Sequence, residues 1–213
     1  VTFAFGQKKV VKEAEKGFKS GNLQAALASI DAATTNPETS GDPATFLVKA
    51  QIETKIFGRD SSNTMETVKV GNQALATFNK TFEMAGNSKT SPVGKSVYAD
   101  ELPGIPDNLR PYSLITLKNV AFDKALNRYN EDDMEMSYEF FNLAGEIDKT
   151  DSTIHYNAGY LANDLGRFED AKRHFGYLFE LPTYNKTNAY YFMVQILSTE
   201  EKNPEAAFAL VTK

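Results

Sequence analysis

The sequence predicts an all-α fold, a superhelical solenoid of antiparallel helix pairs with about five repeats, the last of them incomplete. Three observations lead to this class. Phe141 and Phe175 lie 34 positions apart, as do Ala125 and Gly159, and this period is typical of stacked helix hairpins. Small and aromatic residues recur at helical spacing. Glycine and proline fall between these segments, where they end helices.

The first predicted pair covers 10–38 and lies in the stretch KEAEKGFKSGNLQAALASIDAA. Ala14 belongs to its first helix and Gly21 to the turn. The second helix presents small and apolar residues on one face, and Pro37 follows its end: Leu23, Ala26, Ile30 and Ala33.

The second predicted pair is longer than the first. PATFLVKAQIETKIF reads as a helix with Phe46 and Ala50 inward, and Gly58 to Asn63 reads as a polar turn. We expect the partner helix to start near Thr64, with a small and an aromatic residue on its buried face: Ala74 and Phe78.

A segment rich in Gly, Pro, Ser and Asn follows, over 87–111, and its composition excludes one regular helix. Loops of this length inside a compact array are usually functional or mobile. We expect four apolar side chains to pack part of the segment against the helices: Val97, Tyr98, Leu102 and Ile105.

Residues 112–213 contain three further predicted pairs. The clearest is HYNAGYLANDLGRFEDAKRHF, where Gly159 marks a close helix contact, Gly166 a helix stop, and Pro182 the end of the unit. The pair before it turns at 130–132. The last pair is the weakest copy, with Val194 at the small position and Pro204 opening its second helix.

The spacing of Gly159, Gly166, Phe168, Ala171 and Phe175 resembles the tetratricopeptide repeat (TPR) family. The sequence departs from the family where Trp is usual, and its repeat-ending prolines are only approximately placed. The resemblance covers most of the chain and is strongest over 117–183 and 10–38. It implies stacked hairpins whose first helices line a concave groove.

In the TPR family that groove binds extended peptides or partner helices, so the resemblance implies a protein or peptide partner. Tyr offers rigid area with a polar tip, and Asn can bond a peptide backbone. Packing between helices is the competing interpretation of each position. The residues that the resemblance places in the groove are Asn119, Phe122, Leu126, Tyr129, Tyr156, Tyr160, Asn163, Tyr191 and Gln195.

No catalytic, cofactor-binding or metal-binding residue is predicted, and we expect a protein that is not an enzyme. The two histidines, His155 and His174, are expected on different helices of one repeat. His155 falls where the family packs an aromatic residue, and His174 is expected to be exposed. The acidic run over 131–139 lacks the alternating ligands of a calcium loop and suits a helix start.

Composition narrows the partner class. The chain has 213 residues, 41% of them hydrophobic, and a net charge of −5. An acidic chain has no excess of Lys and Arg to neutralise the phosphates of a nucleic acid, so nucleic acid is not an expected partner. No apolar run reaches the length of a membrane span. Cysteine is absent, which excludes disulfides and thiolate sites.

The start of the sequence, VTFAFGQKK, resembles the end of a signal peptide, because Ala4 and Gly6 satisfy the small–x–small rule before Gln7. The alternative is a short apolar segment that packs on the first helix. The expected organisation is a signal remnant over 1–6, two repeats over 7–86, the loop over 87–111 and three repeats over 112–213.

The leading hypothesis is therefore a non-enzymatic TPR scaffold of the bacterial cell envelope, exported to the periplasm, that binds a protein or peptide in its groove. A cytoplasmic location is the alternative. Two other functions stay open. The repeats belong to a larger sensor or envelope protein whose activity lies past residue 213, or the protein binds glycans.

Overall fold

The structure, a computed structural model, describes residues 2–99 and 112–212, with side chains described from Lys9 onward. These residues form eleven α-helices and no strand. The helices are α1 Thr2–Ser20, α2 Leu23–Thr35, α3 Pro43–Arg59, α4 Met65–Met84, α5 Pro92–Val97, α6 Leu114–Asn130, α7 Met134–Ile147, α8 Ser152–Asp164, α9 Phe168–Glu180, α10 Thr187–Gln195 and α11 Pro204–Val211. One π-helical turn, Ile196–Glu200, continues α10.

The chain divides into two compact units, Val1–Val120 and Ala121–Lys213. In the first unit, α2 packs between α1 and α3, and α3 also packs against α4 and α5. Its core contains a cluster of small and branched side chains: Ala14, Ala26, Ile30, Ala33 and Ile52. Alanine at the helix crossing lets α1 and α2 approach closely.

In the second unit, α8 packs against α7 and α9, and α10 packs against α9 and α11. The end of α6 contacts α7, since Ser137 Oγ donates a hydrogen bond of 2.9 Å to the Ala125 carbonyl. The core is more aromatic than that of the first unit and includes Tyr138, Phe140, Phe141 and Phe175, all at most 1% exposed.

Left-handed residues end several first helices, as expected for hairpin turns. Gly21 and Gly166 have φ of 82° and 71°, and Asp132 has φ of 60°. Only glycine adopts such angles without steric cost. Of the helices after these turns, α7 has a side-chain cap, because Asp133 accepts from the Met136 amide, whereas α2 and α9 have none. Asp151 caps α8 by accepting from the Thr153 amide. The acidic run over 131–139 thus supplies a turn and a helix cap.

These contacts confirm the predicted fold class, an all-α fold of TPR-like helix pairs. Five pairs occur within the described ranges: α1 with α2, α3 with α4, α6 with α7, α8 with α9, and α10 with α11. The starts of α7 and α9, Met134 and Phe168, lie one 34-residue period apart.

The predicted turn over 58–63 is shorter than expected, because α3 continues through Gly58 to Arg59. The break comes at Asp60, whose carboxylate accepts from the Ser62 amide and from the Thr67 hydroxyl. An aspartate that bonds the following backbone favours a turn over another helical residue. The partner helix starts after Thr64, as predicted.

Within 87–111 the structure places α5 and its flanks. Val97 is fully buried, and the Tyr98 ring meets Phe82 edge-on at 4.8 Å. Leu102 and Ile105 lie outside the described residues. The side chains of the predicted signal remnant also lie outside them, so cleavage before Gln7 stays a prediction. None of the described helices is both long and apolar enough to cross a bilayer.

Candidate functional site

A stack of aromatic rings leads from the core of the second unit to its surface. It begins where α8 and α9 touch at Gly159, because a Cβ there would lie 2.7 Å from the ring of Phe175. Phe175 is fully buried. Its ring stacks on Phe192 of α10 with centroids 5.3 Å apart and planes within 1°. The missing side chain of Gly159 therefore positions Phe175, and Phe175 positions Phe192.

Two tyrosines complete this stack at the surface. Tyr160 of α8 and Tyr191 of α10 meet the Phe192 ring edge-on, at 5.9 Å and 5.4 Å. Tyr160 is 39% exposed and Tyr191 67% exposed. We call Tyr160, Tyr191 and Phe192 the aromatic patch. Large side chains held by a ring that itself packs on the core lose little rotamer entropy when a partner covers them, so the patch is suited to binding.

An open depression of about 390 Å³ borders the aromatic patch. Val211 of α11 forms one wall, and residues of α10 form the other. The residues that line it are Thr187, Tyr190, Tyr191, Val194, Gln195 and Val211. The lining is mostly apolar, with the amide of Gln195 and the hydroxyls as polar tips, a combination common at peptide-binding surfaces.

The structure thus brings together three of the predicted groove residues, Tyr160, Tyr191 and Gln195. The other six lie as follows. Leu126 and Tyr129 are exposed on α6, at 38% and 43%. Phe122 is half-buried and meets Phe141 edge-on, which is a packing role. Tyr156 and Asn163 are half-buried on α8, and Asn119 is half-buried in the first unit. For all nine predicted groove residues, a role in binding stays a prediction.

The two histidines lie on different helices of one pair, as expected, but His174 does not have the exposure expected of it. His174 is fully buried, as is His155, so the expectation of an exposed His174 is wrong. Their Nδ1 atoms lie 3.0 Å apart. The physical reason is the close approach of α7 at Gly145, where a Cβ would lie 3.1 Å from His155 and 3.4 Å from His174. The space above Gly145 admits both rings.

The two histidines cannot both be charged in this arrangement. One Nδ1 has to donate and the other to accept, and an accepting Nδ1 belongs to an uncharged ring. Asn142 Oδ1 lies 3.2 Å from Nε2 of His174. Burial, reinforced by the nearby Arg173 charge, lowers the pKa of His174 to about 3. Burial also lowers the pKa of His155, against an opposing effect of the Asp148 backbone.

A second depression, of about 460 Å³, lies at the start of α9. Four acids line it with Arg167, whose guanidinium bonds Glu139 and Glu135 at 2.5 Å and 2.9 Å. Within residues 2–99 and 112–212, no three His, Asp or Glu side chains are placed to hold a metal ion together. Three of the four acids form ion pairs, Glu169 and Glu201 with Lys172 and Asp170 with Arg173, and Glu200 accepts from the Thr199 hydroxyl.

Sequence reasoning missed Phe192 and the histidine pair. Phe192 carried a signal, because it lies 33 positions after Gly159 in the aromatic run Tyr190-Tyr191-Phe192. Three consecutive helical residues point about 100° apart, so one of them has to face the preceding repeat. The sequence contained no comparable signal for the histidine pair. The two rings meet because α7 comes close to α8 and α9 at Gly145, and the sequence does not show how close that approach is.

Comparisons with known proteins leave the family open. No family model and no curated protein matches the sequence. Among solved structures, a mutant of MamA is similar at 14% sequence identity, over 83% of this chain and 98% of that chain, with a TM-score of 0.28. A likeness at this TM-score shows neither the fold nor the function of the chain. The fold class rests on the helix pairs of the chain itself.

Proposed function

We propose that the protein is a non-catalytic helical-repeat scaffold that binds a segment of a partner protein on the aromatic patch. The observation that carries this proposal is the patch itself. Two tyrosines on successive first helices, α8 and α10, stand exposed on a ring that the core holds in place. Clustered exposed aromatic side chains of this kind are typical of binding hot spots.

The burial of both histidines supports the part of the proposal that the protein is not a catalyst. Both are buried against each other and against α7, where no substrate reaches them. A role in the bacterial envelope and export to the periplasm rest on the pattern of Ala4, Gly6 and Gln7 alone and belong to the same proposal.

Replacing Tyr160 and Tyr191 by alanine is expected to weaken partner binding at least about tenfold, because tyrosine anchors of an interface commonly contribute more than about 1.4 kcal/mol each. A random peptide library displayed on phage supplies the partner: sequences enriched on the immobilised chain are synthesised and their dissociation constants measured by calorimetry. Helical content checked by circular dichroism shows that the variants stay folded.

Met65→Ala is the matched control, since Met65 is 48% exposed at the start of α4 in the first unit. It removes a comparable exposed apolar side chain away from the patch and should leave binding unchanged. Enriched peptides that bind the double variant as tightly as the wild type, or a selection that enriches nothing, would contradict the proposal.

A further inference from the structure

The charge of the chain is unevenly distributed between its two units. Residues 121–213 contain nine Lys and Arg against sixteen Asp and Glu, a net charge of −7 with neutral histidines. Residues 1–120 contain fourteen bases and twelve acids, a net charge of +2. The unit that carries the aromatic patch is thus the acidic one.

Five of the nine bases of the second unit form ion pairs with acids of the same unit, and Lys149 is one of them, through Glu146. Arg128, Arg167, Lys172 and Arg173 each contact two carboxylates. Lys124 is only 7% exposed and lies over the Phe140 ring. Among the bases within 121–212, only Lys202 has neither an ion pair nor a hydrogen bond nor a ring contact. Acids therefore remain in excess.

One of these unpaired acids lies beside the aromatic patch. Asp164 follows Tyr160 by four residues on α8, so both lie on the same helical face. It is exposed, and its carboxylate has no partner among the described residues. Asp164 is also the last residue of α8, where the negative end of the helix dipole adds to its charge.

No base competes for this surface from the same helices, because neither α8 nor α10 contains a Lys or Arg. Tyrosine rings attract ammonium and guanidinium groups over their faces. An exposed ring, an unpaired carboxylate and a helix C-terminus thus offer three favourable contacts to one cation. They oppose an acidic peptide, and they oppose the phosphates of a nucleic acid or an anionic membrane.

Resting on the proposed function, we propose that the partner segment bound on the aromatic patch is cationic, with a Lys or Arg that lies against Tyr160 and Asp164. The apolar part of the segment covers Tyr191 and the neighbouring depression. The charge complementarity of the second unit selects this partner over neutral and acidic segments.

Three short synthetic peptides of one apolar sequence, with Lys, Gln or Glu at the same alternate positions, test this directly by calorimetry. The Lys peptide is expected to bind the full chain at least about tenfold more tightly than the Glu peptide in low salt. The difference should shrink between about 0.05 and about 0.5 M NaCl, because salt screens exposed charges.

Asp164→Asn is expected to weaken the Lys peptide about two- to fivefold and to leave the Gln peptide unchanged. Glu83→Gln is the matched control, as Glu83 is an exposed acid on α4 of the first unit. It changes the net charge equally and should leave all three affinities unaltered.

The outcomes separate this inference from the proposed function. Equal affinities for the three peptides, with loss on Tyr160→Ala, overturn the cationic partner and leave the binding scaffold standing. If phage-selected peptides bind and the Lys peptide does not, the cationic partner is again overturned and the binding scaffold again stands. Failure of every peptide, selected ones included, overturns both. A second copy of the chain is the remaining possibility, because its helix α1 has five Lys and two Glu and is itself cationic. If sedimentation shows that the chain self-associates and that Asp164→Asn abolishes the association, the separate partner is overturned in favour of a second copy.

Discussion

Gly159→Ala is expected to destabilise the protein by up to about 2 kcal/mol, because a buried overpacked side chain costs about 1–3 kcal/mol and the better helix propensity of alanine returns about 1 kcal/mol. The new Cβ would meet three atoms of the Phe175 ring at 2.7–3.0 Å. That ring is fully buried and stacked on Phe192, so it has little room to move. Urea unfolding followed by circular dichroism measures the change.

Gly176→Ala provides the control on the partner helix. Gly176 lies inside α9, and a Cβ there would meet nothing within 4 Å. The same chemical change should therefore stabilise the protein, by about 0.5–1 kcal/mol. Opposite signs for the two substitutions show that contact between α8 and α9 decides the first result. If both stabilise, the close approach at Gly159 is not as described.

The second large effect is a loss of stability in mild acid, caused by the buried histidine pair. Unfolded histidine has a pKa near 6.5, and burial lowers the pKa of both histidines in the fold. Below pH 6.5 the unfolded chain therefore binds more protons than the fold. Stability is fully present above that pH and falls as the pH falls.

The size of this effect follows from linkage. Between pH 7.5 and pH 5.5, one histidine that stays neutral in the fold costs about 1.4 kcal/mol of stability, and two cost about twice that. The charged and titratable groups around the pair are Tyr138 and Glu146 of α7, Asp148 and Asp151 before α8, and Asp170, Arg173 and Tyr177 of α9. Urea unfolding at the two pH values measures the change, in which Glu53 counts with the opposite sign because burial raises its pKa.

His174→Gln should reduce the pH dependence over this window by about half, whatever its effect on the stability at neutral pH, since one titrating group is removed. Because the chain contains only two histidines, proton NMR of the imidazole C–H resonances gives an independent readout. A histidine of the folded protein that titrates near pH 6.5 would refute the buried neutral pair.

The repeat period made much of the fold predictable. Gly166 predicted a left-handed helix stop and has a positive φ, and Gly159 predicted a close contact and touches Phe175. Both predictions follow from the absence of a side chain, which permits a positive φ at Gly166 and a close helix contact at Gly159. That absence can be read directly from the sequence. The end of α3 was missed by two residues, because the hydrogen bonds of Asp60 fix that boundary more strongly than Gly58 does.

The candidate site was less predictable from the sequence. Helical spacing placed Tyr160 and Tyr191 on first helices, yet it did not show that Phe192 would join them. Nor did it show that His174 would be buried, since that depends on how closely α7 approaches at Gly145. Periodicity fixes which face of a helix a residue occupies. The depth of burial depends on the neighbouring helices, whose approach is set by many side chains together.

Hydrogen exchange measured by mass spectrometry on the full chain, with and without a saturating phage-selected peptide, tests the central claim most directly. If the aromatic patch is the binding surface, the peptide slows amide exchange in α8 and α10, over Ser152–Asp164 and Thr187–Gln195, because binding suppresses local opening. Helices α1–α4 should exchange unchanged. Protection confined to α1–α4, with α8 and α10 unaltered, would contradict a binding surface built on Tyr160, Tyr191 and Phe192.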